Sequence, residues 1–281
     1  MNVTARALLA AAAGAALATA ILPLAPLTAG PAAAAVTSAA HHLKLHAMPH
    51  GSVAFGRDRH HHLTVRVSAY GFTPGSSHAV DLRVPRHHAV IRFSTLRAAS
   101  SGQAHTTLHS RFAGHWPHGS VLIIRMGASR GRLARTPIAV ARPLSHAGHH
   151  HHRLIAVEVS PHGISYGTPR GTARLSYSPR KHTLTVIVHA SGLTPGPHAA
   201  HIHLGSCQDQ GPVKYMLNDL VASRHGVVRH AVSVFTNVTQ PIPPHGWYLN
   251  IHQGNSRDIL HNGQPSIFFR PLLCANIRAA R

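Results

Sequence analysis

"LTVIVHASGLTPGPHAAHIH", residues 184–203, alternates apolar and polar side chains, turns on a Gly/Pro stretch, and then begins to alternate again. Leu184, Val186 and Val188 fall on one side of an extended chain, "SGLTPG" supplies the turn, and Ile202 opens the next strand. Nearly the same text stands earlier: "LTVRVSAYGFTPG" at 63–75 and "LTVIVHASGLTPG" at 184–196 agree at nine of thirteen positions without a gap. The correspondence continues, with His78-Ala79 on His198-Ala199 and "GSVLIIRMGAS" (119–129) on "GWYLNIHQGNS" (246–256). A duplication explains this agreement. No helical periodicity of useful length follows residue 36, so the pattern predicts an all-β protein of two tandem Greek-key sandwich or barrel domains. The domains are expected at 37–144 and 157–281, with a His-rich linker at 145–156 that contains "SHAGHHHHRL".

Residues 1–36 read as a signal peptide. Arg6 gives the positive start, an Ala/Leu-rich stretch follows, and Ala32 to Ala35 offer small-residue cleavage sites. The alternative is an uncleaved anchor, against which Pro23, Pro26 and Pro31 argue. No later segment is apolar enough to span a bilayer, so the expected location is secreted or cell-envelope. Cys207 and Cys274 are the only cysteines, and an exported chain with an even count most simply pairs them. Lys and Arg number 27 against six acids, a formal charge of +21. Such a surface permits anionic cell-surface polymers as partners, while no zinc-finger spacing or RNA-recognition signature favours nucleic acid.

The chain holds 30 histidines, so spacing and context must single out the informative ones. His201 and His203 are two apart and share a strand face, with Ile202 turned away; Asn250 and His252 do the same in "YLNIH". In the first copy these histidines fall on Asp81, Arg83 and Arg125, and arginine cannot ligate a cation. Either a metal site survives in the second copy alone, or the face is a strand surface that has drifted. His78 and His198 recur in both copies and read as structural, close to the turn. His149 to His152 would bind metal in a test tube but read as a flexible linker, and Trp247 and Tyr248 read as core at a strand start.

"GLTPGPHAAHIHLGSC" (192–207) resembles the stretch of copper,zinc superoxide dismutases in which a turn, a structural histidine and an H-x-H copper-ligand pair follow one another, and "RPLLCANI" (270–277) is similar to that family's C-terminal arginine and disulfide cysteine. "AAHIH" and "YLNIH" are equally similar to the chordin-type (CHRD) domain. The resemblance covers about 168–278, with a faded copy near 48–142. It implies a superoxide dismutase-like fold, copper or, second to it, zinc on His201, His203 and His252, a bond between Cys207 and Cys274, and Arg270 as the catalytic cation. The chain also departs from the dismutase pattern. Val213 stands where the histidine bridging copper and zinc belongs, His225, His230 and His245 are too scattered to build the zinc site, and Arg270 is one residue further from its cysteine.

Three functions remain: a metal-binding module without turnover, a copper-only dismutase, and a structural or surface-binding protein without metal. A three-histidine zinc hydrolase ranks below these for want of nearby carboxylates. Paired catalytic carboxylates, a G-x-S-x-G elbow and a phosphate-cradling loop are all missing from the sequence.

Overall fold

Burial follows the alternation of the repeated stretches. In the computed structural model, which describes residues 40–84, 89–114, 117, 119–129, 131–142, 151–160 and 162–278, Leu184, Val186 and Val188 lie in one core and Leu63, Val65 and Val67 in another. The strands that carry them, Thr183–Ser191 and His62–Tyr70, both run into a left-handed glycine, Gly192 at φ +76° and Gly71 at φ +82°. At Gly192 a Cβ would stand 2.9 Å from the Thr168 carbonyl oxygen, so the turn needs glycine for space as well as conformation. The signal-peptide segment lies outside the described residues. Among those described, no helix is long and apolar enough to cross a membrane.

The protein is all-β, of the sandwich or barrel class, and its strand pairs are antiparallel. In the N-terminal half the main sheets have the orders (Ile155–Ala156)-(Pro137–Ala141)-(Val121–Arg125)-(Val80–Val84)-(Ala89–Arg92) and (His151–Arg153)-(His50–Arg57)-(His62–Tyr70)-(Ala104–Ala113). In the C-terminal half one curled sheet runs (Gln210–Met216)-(Ala200–Gly205)-(Trp247–His252)-(Pro271–Ile277)-(Ala40–Ala47)-(Arg170–Ser178)-(Thr183–Ser191)-(Val227–Phe235).

The positions of two segments in these orders differ from the expected division of the chain. The strand Ala40–Ala47, read as the start of the first domain, sits in the C-terminal sheet, pairing Lys44 with Thr172 and Ala47 with Leu273. Residues 151–156, read as linker, form strands of the N-terminal sheets, pairing Arg153 with Ser52 and Ala156 with Ala139. The two insertions are equivalent. Thr172 and Ser52 face His189 and Ser68 in the next strand, and Leu273 and Ala139 face Ile251 and Ile124, which are matching positions of the repeat. Each half therefore lends its leading strand to the other, and Thr37–Arg281 forms one compact unit. Leu43 and Leu45 point into the C-terminal core, while His42, Lys44 and His46 between them face outward.

Two covalent or ionic ties hold this arrangement. Cys207 is bonded to Cys274, fixing the loop after Ala200–Gly205 to the C-terminal strand, and Cys207 N donates to Asn276 Oδ1 at 2.7 Å. Glu158, completely buried, accepts from Arg270 Nη1 at 2.9 Å, and Arg270 Nη2 donates to the Val157 carbonyl at 2.9 Å. Burial raises the Glu158 carboxyl above its ordinary range against the pull of Arg270, so desolvation costs each member of the pair.

Candidate metal centre

Two neighbouring antiparallel strands build the site. Ala200–Gly205 pairs with Trp247–His252 so that His201 stands opposite Asn250 and His203 opposite Tyr248. A bond from His252 N to the Ala199 carbonyl (2.8 Å) closes the ladder and brings His252 alongside His201. The ring centroids are 5.1 Å apart for His201 and His252, 5.4 Å for His201 and His203, and 6.1 Å for His203 and His252. One nitrogen from each ring lies within 4.8 Å of the others. The three side chains are 2%, 3% and 0% exposed in chain order, so each imidazole is almost wholly shielded from water.

Backbone carbonyls aim two of the rings. His203 Nδ1 donates to the Gly211 carbonyl at 2.9 Å and His252 Nδ1 to the Phe269 carbonyl at 2.6 Å. Donation from Nδ1 fixes the tautomer and leaves a lone pair on each Nε2, the arrangement that orients a metal-ligating histidine. Neither Nε2 has a hydrogen-bond partner among the described residues, and both nitrogens of His201 are likewise unpartnered. Burial keeps the imidazoles neutral. It pushes His252 down to about 3 and His201 down to about 4, with neighbouring imidazoles adding to the effect, and it lowers His203. Neutral imidazole is the ligand form, and a divalent ion is the partner that would satisfy several buried lone pairs together. The residues present fit such an ion.

Surrounding groups hold this geometry. Tyr248 stacks on His203 at 4.9 Å with an interplanar angle of 16°, and Phe269 packs on His252 at 4.6 Å. Tyr248 therefore does more than the core packing expected of it, whereas Trp247 meets that expectation against Tyr215 at 5.6 Å. His198 lies behind the site with Nδ1 at 3.0 Å from the His252 carbonyl and Nε2 at 2.7 Å from the Thr194 carbonyl. His78 repeats the first contact, Nδ1 at 2.8 Å from the Arg125 carbonyl, so both recurrent histidines are structural.

Arg270 is placed differently from the anion-guiding cation that the resemblance implies. It is 3% exposed, with Nη1 held by Glu158, Nη2 by the Val157 carbonyl and Nε without a partner among the described residues, so its charged head is shielded from solvent. The sequence showed Glu158 only as one of six scattered acids and offered no sign of the pairing. Val213 is exposed, and so are His225, His230 and His245; the only group of three or more convergent metal ligands among the described residues is His201, His203 and His252.

In the N-terminal half the equivalent positions are filled by an ion pair. Arg125 Nε donates to Asp81 Oδ2 at 2.6 Å, where His252 and His201 would stand. Arg125 Nη1 also donates to the Arg135 carbonyl at 2.6 Å. Arg135 lies two residues before Pro137, which pairs with Arg125, just as Phe269 lies two residues before Pro271, which pairs with His252. The same backbone carbonyl is thus used in both halves, by a guanidinium in one and an imidazole in the other.

Compared with known protein families, residues 155–258 match the CHRD domain. That segment contains all three site histidines and stops short of Arg270 and Cys274. Among curated proteins, none matches the chain.

Proposed function

We propose that this chain is an exported β protein whose C-terminal half holds a copper ion, with zinc the second choice, on His201, His203 and His252, as a binding or carrier module without turnover. The N-terminal half is, in this reading, a superoxide dismutase-like or CHRD-like copy that has exchanged its site for the Asp81–Arg125 pair. The observation that carries the reading is the set of buried imidazole nitrogens without hydrogen-bond partners, two of them aimed by carbonyls behind their rings. Leaving a buried polar atom unpaired costs about 1–3 kcal/mol, so three such rings in one place are most simply explained by a ligand. Imidazole suits copper and zinc alike.

Copper so bound would supply one-electron exchange. The chain's own residues favour retention over cycling. The ligand rings are shielded, Arg270 is engaged by Glu158, and Val213 occupies the bridging place. An exported location fits the disulfide between Cys207 and Cys274 and the alanine-rich N-terminus.

The test is copper titration of the full chain with His149→Ser and His150→Ser, in the presence and absence of His201→Asn plus His252→Asn, followed by calorimetry and by the copper electron-spin spectrum. One tight copper per chain, lost in the double variant, is the expected result. Unchanged binding in the double variant would remove the site and leave a structural or surface-binding β module. Superoxide turnover by the loaded protein would replace the carrier reading with a dismutase.

A further inference from the structure

The exchanged strand Ala40–Ala47 has an outer face that the metal site does not use. His42, Lys44 and His46 all point outward and are exposed. In a strand, alternate residues stand about 6.6–6.8 Å apart, so the three form a regular row of cationic and imidazole groups. Two cavities adjoin along this row and share His42 and Lys44. One, of about 600 Å³, continues past His46 and His50 to Asn276 and Arg278. The other, of about 920 Å³, continues across Arg170 to His189 and Arg229. Both are open to solvent along their length.

Among the described residues, no carboxylate lines either cavity. Of the six acids, Asp58 is engaged by His62, Asp81 by Arg125, Glu158 by Arg270, Asp219 by Ser256 and Asp258 by Asn255, and Asp209 follows Gln208 in sequence without lining the cavity. The groove is thus lined by cationic and neutral side chains, with exposed Asp209 beside Gln208 the nearest acid in sequence. The His46 and His50 rings stand 6.0 Å apart, but no third ligand joins them among the described residues, unlike His201, His203 and His252. Lys44, Arg170, Arg229 and Arg278 offer only donors.

We infer that this groove, running along the exchanged strand, binds an anionic polymer with repeating phosphate or carboxylate groups. A row of donors at regular spacing, without a single focus, matches a chain of charges better than one ion. The inference stands apart from the copper reading, since it uses none of the three ligand histidines.

The measurement is binding of the full chain to long-chain polyphosphate, to polygalacturonate and, as an uncharged control, to dextran, at 50 and 500 mM NaCl. Expected is binding to at least one of the two polyanions and none to dextran, weakened at high salt as screening shortens the reach of the charges. Lys44→Gln, Arg170→Gln and Arg229→Gln together should weaken it at least tenfold at 50 mM. Arg57→Gln, Arg132→Gln and Arg257→Gln, which remove the same charge from exposed positions outside the groove, should change it less than twofold. Which polymer responds to the groove variant identifies the anionic group. Equal weakening by both triple variants would overturn the inference, because only the net charge would then be at work, and binding to neither polymer would overturn it outright. Thermal melts of both variants check that each remains folded.

Discussion

The two halves place different chemistry on the same scaffold. At matching ladder positions the N-terminal half has Asp81 and Arg125, which neutralise and hydrogen-bond each other, and the C-terminal half has His201 and His252, which do neither. The supporting parts are common to both: a structural histidine bonded to the carbonyl of residue 125 or 252, and a second carbonyl, of Arg135 or Phe269, that takes a donor from the site side chain. An ion pair completes itself without a ligand. A buried imidazole triad stays incomplete until something binds, and this difference is what turns a shared strand surface into a candidate centre.

The comparison is most severely tested by removing what the halves share. Deleting Ala40–Ala47 takes a central strand out of the eight-stranded sheet. The C-terminal half should then lose its cooperative melt and, with it, tight copper binding; a chain that still melts cooperatively and binds would show that the exchange is dispensable. Next in size is the buried pair that fixes the chain just after the exchanged segment 151–156 to the C-terminal strand region. Glu158→Gln leaves the Arg270 charge without its partner and should cost about 3–5 kcal/mol in denaturant unfolding, whereas Glu158→Leu with Arg270→Met should cost far less, because buried pairs are poorly repaid for desolvation. Equal losses in the two variants would contradict this account.

Copper itself should separate the halves. At a free concentration a thousandfold above Kd, binding adds about 4 kcal/mol to stability, seen as a raised Tm that His201→Asn plus His252→Asn abolishes. The sharper version builds the missing site: Asp81→His, Arg83→His and Arg125→His should take the copper stoichiometry from one to two per chain, since the Arg135 carbonyl, counterpart of the Phe269 carbonyl, is already in place. A stoichiometry that stays at one would mean that the Gly211 and Tyr248 surroundings of His203 matter more than the ligands.

The smallest effect concerns His78, which burial holds down to about 4. In the unfolded chain a histidine takes its proton near 6.5, so between these values the unfolded state binds more protons and stability falls with falling pH. The contribution, present in full above about 6.5 and lost towards 4, is about 3 kcal/mol by the shift. His78→Gln should flatten the stability profile between pH 7 and 4, as measured by denaturant midpoints. An unchanged profile would assign the acid sensitivity to other groups.

Much of this was readable from residue order. Leu184, Val186 and Val188 revealed a strand because a period of two has one buried face, and the repeat at 63–75 revealed a second strand of the same kind. His201 and His203 shared a face by the same rule, and the recurrence of His78 and His198 marked them as structural. Local patterning does not say which sheet a buried face meets. Leu43 and Leu45 alternate as well as any pair in the chain, yet both halves offer an equivalent gap, and only packing decided that Ala40–Ala47 fills the gap of the other half.

The same division holds for the site. The sequence by itself determined the all-β class, the recurrence of nearly the same text at 63–75 and 184–196, the three candidate ligands and the only possible cysteine pair, because each depends on residue type, residue count or local pattern. The tertiary structure alone decided that Arg270 is bound by Glu158, that Gly211 and Phe269 aim the imidazoles, and that Asp81 meets Arg125. The ion pairs join residues distant in the chain, and the two shorter-range contacts use backbone carbonyls, which every residue carries and no sequence distinguishes.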